Sequence, residues 1–147
     1  MMLSWGVAAS AAIAVLAAGC GGSSSGSSNP LVGTWTTAKS VGTVTVTETV
    51  NLNSDGTLVV QVTAASATCS GTETTTGFAW AATAASITLS GTADCTGAIT
   101  CGTVSVACSD STGVKASACT YALSNNNDTL ALTACTGIDD VTFTRGS

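Results

Sequence analysis

The chain has 147 residues, of which three are basic (Lys39, Lys115, Arg145) and eight acidic, for a formal charge of −5 at pH 7, and it contains no histidine. Phosphate backbones and anionic lipid surfaces are bound through Lys and Arg, so this balance excludes a nucleic-acid partner and charge-driven recognition of a membrane. The missing imidazole removes the usual general base near neutral pH and a common metal ligand, and nothing in the composition asks for a cofactor.

Taken from the N-terminus, residues 7–16 form an apolar run that Ala17-Ala18-Gly19-Cys20 closes with small side chains and a thiol. An apolar run of about 7–15 residues ending in small residues is the pattern of a secretory signal. It is shorter than the roughly 20 residues that span a bilayer. The Leu16-Ala17-Ala18-Gly19-Cys20 ending resembles the bacterial lipobox. That resemblance implies a signal peptide over 1–19, diacylation of the Cys20 sulfur and attachment to a lipid bilayer. Gly21 after the cysteine, in place of Asp, implies by the same resemblance an outer-membrane location; the alternative is a secreted protein cut nearby. The Gly/Ser-rich residues 20–30 read as a flexible tether, leaving one domain over 31–147.

Period-two alternation dominates that domain. In residues 43–52 the even positions Val44, Val46, Glu48, Val50 and Leu52 make one apolar face, and Thr43, Thr45, Thr47 and Thr49 make a polar one. Asn53-Ser54-Asp55-Gly56 supplies a turn, and Leu58, Val60 and Val62 repeat the apolar face in the next strand, so these two segments predict a hairpin. Further strands are predicted at 74–80, 86–91, 103–108, 118–123, 129–133 and 140–145. Turns fall at 110–113 and 125–128, and 81–85 reads as a loop. No segment carries a helical period. About eight to ten short antiparallel strands in a meander must close on themselves or stack into two sheets to protect their edges. The fold class is therefore all-β, with a small closed barrel expected and a β-sandwich as the alternative.

Of seven cysteines, six lie beyond Cys20. In an exported chain Cys69, Cys95, Cys101, Cys108, Cys119 and Cys135 read as a disulfide framework, with fifteen connectivities open. Turn centres suggest one of them. A hairpin centred near Ala82 sets Cys69 opposite Cys95, one centred near Asn127 sets Cys119 opposite Cys135, and Cys101 and Cys108 remain as a short loop. With neither a CxxC pair nor a histidine, the cysteines do not suggest a metal site.

The domain opens on Gly33-Thr34-Trp35 and its last predicted strand ends at Arg145, the only arginine. Gly-x-Trp at the first strand, with an Arg after the final one, resembles lipocalins and small bacterial lipocalin-like domains. The resemblance implies that Trp35 closes the lower end of a barrel and that Arg145 lies over its ring.

Candidate sites are few. The serines fall in linkers and on strand faces, with no Ser-x-x-Lys motif, and nothing in the sequence fixes the separation of Glu48 from Glu73, so no enzyme is read here. Asp139-Asp140 and the Asn-rich 125–128 segment lack EF-hand spacing and read as solvated turns. Glu48 stands out because its parity places a carboxylate among aliphatic side chains, where burial raises its pKa. Val46, Glu48, Val60, Phe78 and Tyr121 are the candidates to line a pocket. These features lead to an envelope-anchored, monomeric binding module for a small apolar molecule. A non-enzymatic structural or protein-interaction domain is the alternative.

Overall fold

The structure is a computed structural model, and it describes residues 29–108, 114–137 and 139–146. The predicted signal, Cys20, most of the tether and the 110–113 turn lie outside the described residues. Nine strands follow one another: β1 (Gly33–Val41), β2 (Val44–Leu52), β3 (Thr57–Ala65), β4 (Cys69–Ala82), β5 (Ser86–Cys101), β6 (Val104–Ala107), β7 (Val114–Ser124), β8 (Thr129–Thr133) and β9 (Val141–Arg145). Every pairing is antiparallel, as short turns between neighbours require. The hydrogen-bonded order β4-β3-β2-β1-β9-β8-β7-β5, with β4 also paired to β5, closes an eight-stranded barrel, and β6 is an extra strand on β5. The closed barrel is thus the fold, and the sandwich is not.

Its walls are unequal in height. Residues Ser86 to Gly91 of β5 pair with β7, whereas Ala98 to Cys101 pair with β6. At the other margin β1 joins β9 through Trp35↔Arg145 and Thr36↔Thr144, and its later residues continue beside β2 as far as Val41↔Val44. The first six strands therefore extend past the closed barrel as an open sheet on one side of its mouth.

Alternation and turn chemistry explain the first hairpin. Val50 pairs with Val60 and Leu52 with Leu58, both apolar faces turning inward. Gly56, at φ 83°, takes the left-handed position of the 53–56 turn, and Asp55 caps it by accepting from the Thr57 amide at 2.9 Å and the Thr57 hydroxyl at 2.6 Å. Those bonds hold the Asp55 carboxyl below its usual pKa. At the 125–128 turn Asn125, Asn126 and Asn127 all have positive φ, a conformation Asn tolerates better than most side chains.

The second hairpin is longer than its pattern predicts. β4 and β5 run 14 and 16 residues, where shorter strands at 74–80 and 86–91 were expected. Residues 81 and 82, read as loop, belong to β4. Glycines let the two strands run on where their backbones come closest. At Gly77 (φ +84°) a Cβ would collide with the Thr92 carbonyl, and at Gly91 (φ +123°) with the Gly77 carbonyl. The register shifts beside Gly77, between Thr76 and Phe78, as a β-bulge does.

This hairpin also corrects two of the three expected disulfides. Cys119 pairs with Cys135, as a turn at Asn127 demands, but the others are Cys69–Cys101 and Cys95–Cys108. The β4–β5 connection turns at residues 83–85, where the Thr83 amide donates to the Ser86 carbonyl at 2.9 Å. A turn centre displaced from 82 to about 85 moves the residue opposite Cys69 twice as far, from Cys95 to Cys101, and these two are direct cross-strand partners. Cys95 then faces Thr75 and bonds to Cys108, whose amide donates to the Gly97 carbonyl at 3.1 Å.

The core gathers at the closed end. Leu31 and Trp35 are fully buried, with Leu52, Leu58, Trp80, Ile87, Leu130 and Phe143 around them. The Trp35 indole N–H donates to the Leu31 carbonyl at 2.8 Å. Arg145 lies over the ring, its Cζ 4.2 Å from the centroid. The same guanidinium donates to the carbonyls of Val32 (3.1 Å), Asn127 (2.9 Å) and Pro30, joining the entry to the first strand, the end of the last strand and the 125–128 turn. Gly33 lies directly against it, since a Cβ there would meet an Arg145 nitrogen. Arg145→Lys keeps the charge but loses the planar fork of donors. We expect it to cost about 2 kcal/mol, the scale of a hydrogen bond to a charged group, seen as a lower urea midpoint; an unchanged midpoint would remove Arg145 from the forces that close the barrel.

Candidate functional site

Side chains alternate in and out of a barrel, so the inward faces of its strands decide whether space remains inside. Here the floor is Trp35 and Phe143, and the walls are Leu52, Leu58, Val60, Ile87, Leu89, Leu130 and Leu132, with Val50 and Val141 above. They leave a cavity of about 90 Å³ with Glu48 at its margin. A second, more open hollow of about 500 Å³ lies at the mouth, bounded by Thr37, Lys39, Val41, Val46, Glu48, Asp139, Asp140 and Val141. Glu48 and Val141 border both spaces. They form the neck between them.

The position of Glu48 follows from the register. On β2 it pairs with Thr37 of β1 and Val62 of β3, so its flanking partners are a hydroxyl residue and an aliphatic one. Among the described residues its carboxylate makes no hydrogen bond or ion pair; the ion pair present is Arg145 with Asp128, at 4.0 Å. Burial pushes the Glu48 pKa above its ordinary value, with no compensating bond to pull it back.

The sign of that shift fixes a prediction. A carboxyl whose folded pKa exceeds its unfolded pKa penalises the folded state only when ionised. The penalty is absent below the unfolded pKa and enters as pH rises through the interval up to the folded pKa. Glu48→Gln should therefore unfold at a higher urea concentration than the parent at pH 7 and at the same concentration near pH 3. A lower midpoint at pH 7 would show that the carboxylate is stabilising where it stands.

The expected pocket residues divide. Glu48 and Val60 line the cavity, and Val46 lines the mouth. Phe78 and Tyr121 line neither space, which corrects that expectation. Phe78 packs against the core beside the bulge, opposite Leu58 and Gly91. Tyr121 is drawn to the closed end, where its hydroxyl donates to the Thr83 carbonyl at 3.0 Å. Glu73 is no partner for Glu48, because Val62 lies between them in the sheet, and two strand spacings amount to about 10 Å.

Several lining residues were not singled out from the sequence. Leu89, Leu130, Leu132 and Val141 carry the right parity, but parity does not say which aliphatics surround a void. Asp139 and Asp140 are exposed, as solvated turn residues are, yet the connection from β8 to β9 places them on the mouth with Lys39 and Glu48. Among the described residues no three acidic, cysteine or histidine side chains are grouped to hold a metal ion. The arrangement suits retention of a small molecule with an apolar end inside and a polar end at the mouth. The chain matches no protein-family model, no curated protein and no solved structure with which it was compared.

Proposed function

We propose that this is an envelope-anchored lipoprotein whose barrel binds a small, mainly apolar molecule. The supporting observation is the apolar cavity of about 90 Å³ that meets the mouth at Glu48. Leaving such a space empty costs roughly 2 kcal/mol at about 24 cal/mol per Å³, which a molecule of matching shape recovers. The volume equals about three water molecules at roughly 30 Å³ each, so only a short apolar end enters and the remainder occupies the mouth. Anchorage rests on the lipobox resemblance at Cys20, where two acyl chains, at about 0.8 kcal/mol per buried methylene, hold a protein firmly in a bilayer. The outer membrane is the proposed location, with secretion as the alternative.

The test is native mass spectrometry of the protein extracted from its own envelope. The expected masses are those of a chain beginning at Cys20 with a diacylglyceryl group, together with a retained small molecule. An unmodified N-terminus overturns the anchor, and a barrel that is empty in every preparation overturns the binding reading.

A second reading, an interaction domain without a ligand, draws support from Val41, Val104 and Val106, each 61 % exposed. They sit at the two margins of the open sheet, on β1 and β6, where an unpaired edge invites another chain.

A further inference from the structure

The polar end of the molecule can be assigned a charge. We propose that the ligand carries a positively charged nitrogen, an amine or quaternary ammonium on a short apolar tail, with the nitrogen against Glu48 at the neck and the tail in the barrel cavity. This rests on the binding reading above. Among the described residues Glu48 is the sole ionisable one lining the inner cavity. It has no partner among the described residues, and its neighbours in the sheet, Thr37 and Val62, bring no positive charge. A half-buried carboxylate in that state is unfavourable unless an opposite charge arrives.

Charge at the mouth selects in the same direction. Among the described residues, Glu48, Asp139 and Asp140 border it against a single cation, Lys39, on a chain of net charge −5. A fatty-acid-like anion entering tail first would bring its carboxylate to rest beside Glu48, so like-charge repulsion rejects it. A neutral molecule fills the cavity but leaves Glu48 uncompensated. A cation does both: its alkyl end replaces the void, and its nitrogen supplies the missing countercharge in a site where screening is weaker than in bulk water. The cavity limits the enclosed tail to about three or four heavy atoms, from its volume relative to water.

The experiment is a titration of the oxidised protein, ¹⁵N-labelled, with n-butyltrimethylammonium, 1-butanol and butanoate. The Trp35 indole N–H reports on the cavity floor and the Glu48 amide on the neck. Butyltrimethylammonium should shift both signals and bind at least tenfold more tightly than butanol, with butanoate weakest. Glu48→Gln should erase the tenfold preference. If butanol and the ammonium bind equally, if butanoate binds best, or if Glu48→Gln keeps the preference, the cation proposal is overturned while the barrel remains a binding site. Shifts at Glu48 without shifts at Trp35 would overturn the placement of the tail. If none of the three probes moves either signal, the binding reading itself fails, and the cation proposal fails with it.

Discussion

Trp35→Ala should lower the unfolding free energy by about 3–5 kcal/mol, the range for truncating a large buried aromatic. The ring is fully buried, and three separate contributions end on it. It fills the floor of the barrel beside Phe143, its N–H satisfies the Leu31 carbonyl, and its face carries the Arg145 guanidinium, a contact worth about 0.5–2 kcal/mol. It also sits on the seam that closes the barrel, in register with Val50 on one side and Arg145 on the other. Removing the ring therefore loosens both neighbours of β1 at once. Trp35→Phe separates the parts. It keeps most of the packing and a ring for Arg145, and it leaves the buried Leu31 carbonyl without its donor, a loss of about 1–3 kcal/mol. Urea unfolding of the oxidised proteins measures both. An alanine variant within about 1 kcal/mol of the parent would mean that this ring does not hold the seam.

Removing the Cys69–Cys101 disulfide by a double substitution to serine should cost roughly 3.5 kcal/mol, against about 3 kcal/mol for Cys119–Cys135, because the longer loop restricts the unfolded chain more. The sequence separations are 32 and 16. The first bridge ties the end of the long β4–β5 hairpin farthest from its turn, where Cys69 is buried and Cys101 exposed. Its loss should fray the open sheet, through Ala65↔Ser70 on one side and Cys101↔Val104 on the other, before the barrel opens. Hydrogen exchange would then rise first in β6 and the end of β5, while Trp35 and Leu130 amides keep their protection. Peptide mapping without reduction gives the direct check on register. Crosslinks 69–101, 95–108 and 119–135 are expected, and a 69–95 or 101–108 crosslink would require a different β4–β5 pairing.

The two predictions depend on different kinds of information. Short-range physics is written along the chain: Val44 to Leu52 alternates between two faces, Asn53 to Gly56 turns it back, and Leu58 and Val60 return on the same face because period two leaves no other choice. The Asn-rich 125–128 turn likewise fixes Cys119 against Cys135. The all-β class, most strand centres and the inward side of Glu48 were legible from such features, as was an Arg145 lying over Trp35 once the Gly33-Thr34-Trp35 likeness was noticed.

Tertiary structure decided what depends on residues far apart. Thr36 and Thr144 exchange hydroxyl-to-carbonyl bonds across 108 positions, and closure at that seam makes a barrel out of what could have been two stacked sheets. The β4–β5 register was hidden because alternation does not reveal a bulge or a close approach, and Gly77 and Gly91 are where two backbones come too near for any side chain. Three residues of displacement in one turn then reassigned two disulfides. Alternation could place Glu48 on the inner face, but only closure brought it to a neck between an apolar cavity and the acidic mouth formed with Asp139 and Asp140. Local sequence determines which way a side chain points, since a strand has two faces; what it meets there is set by loop lengths, bulges and closure, which act on the whole chain together.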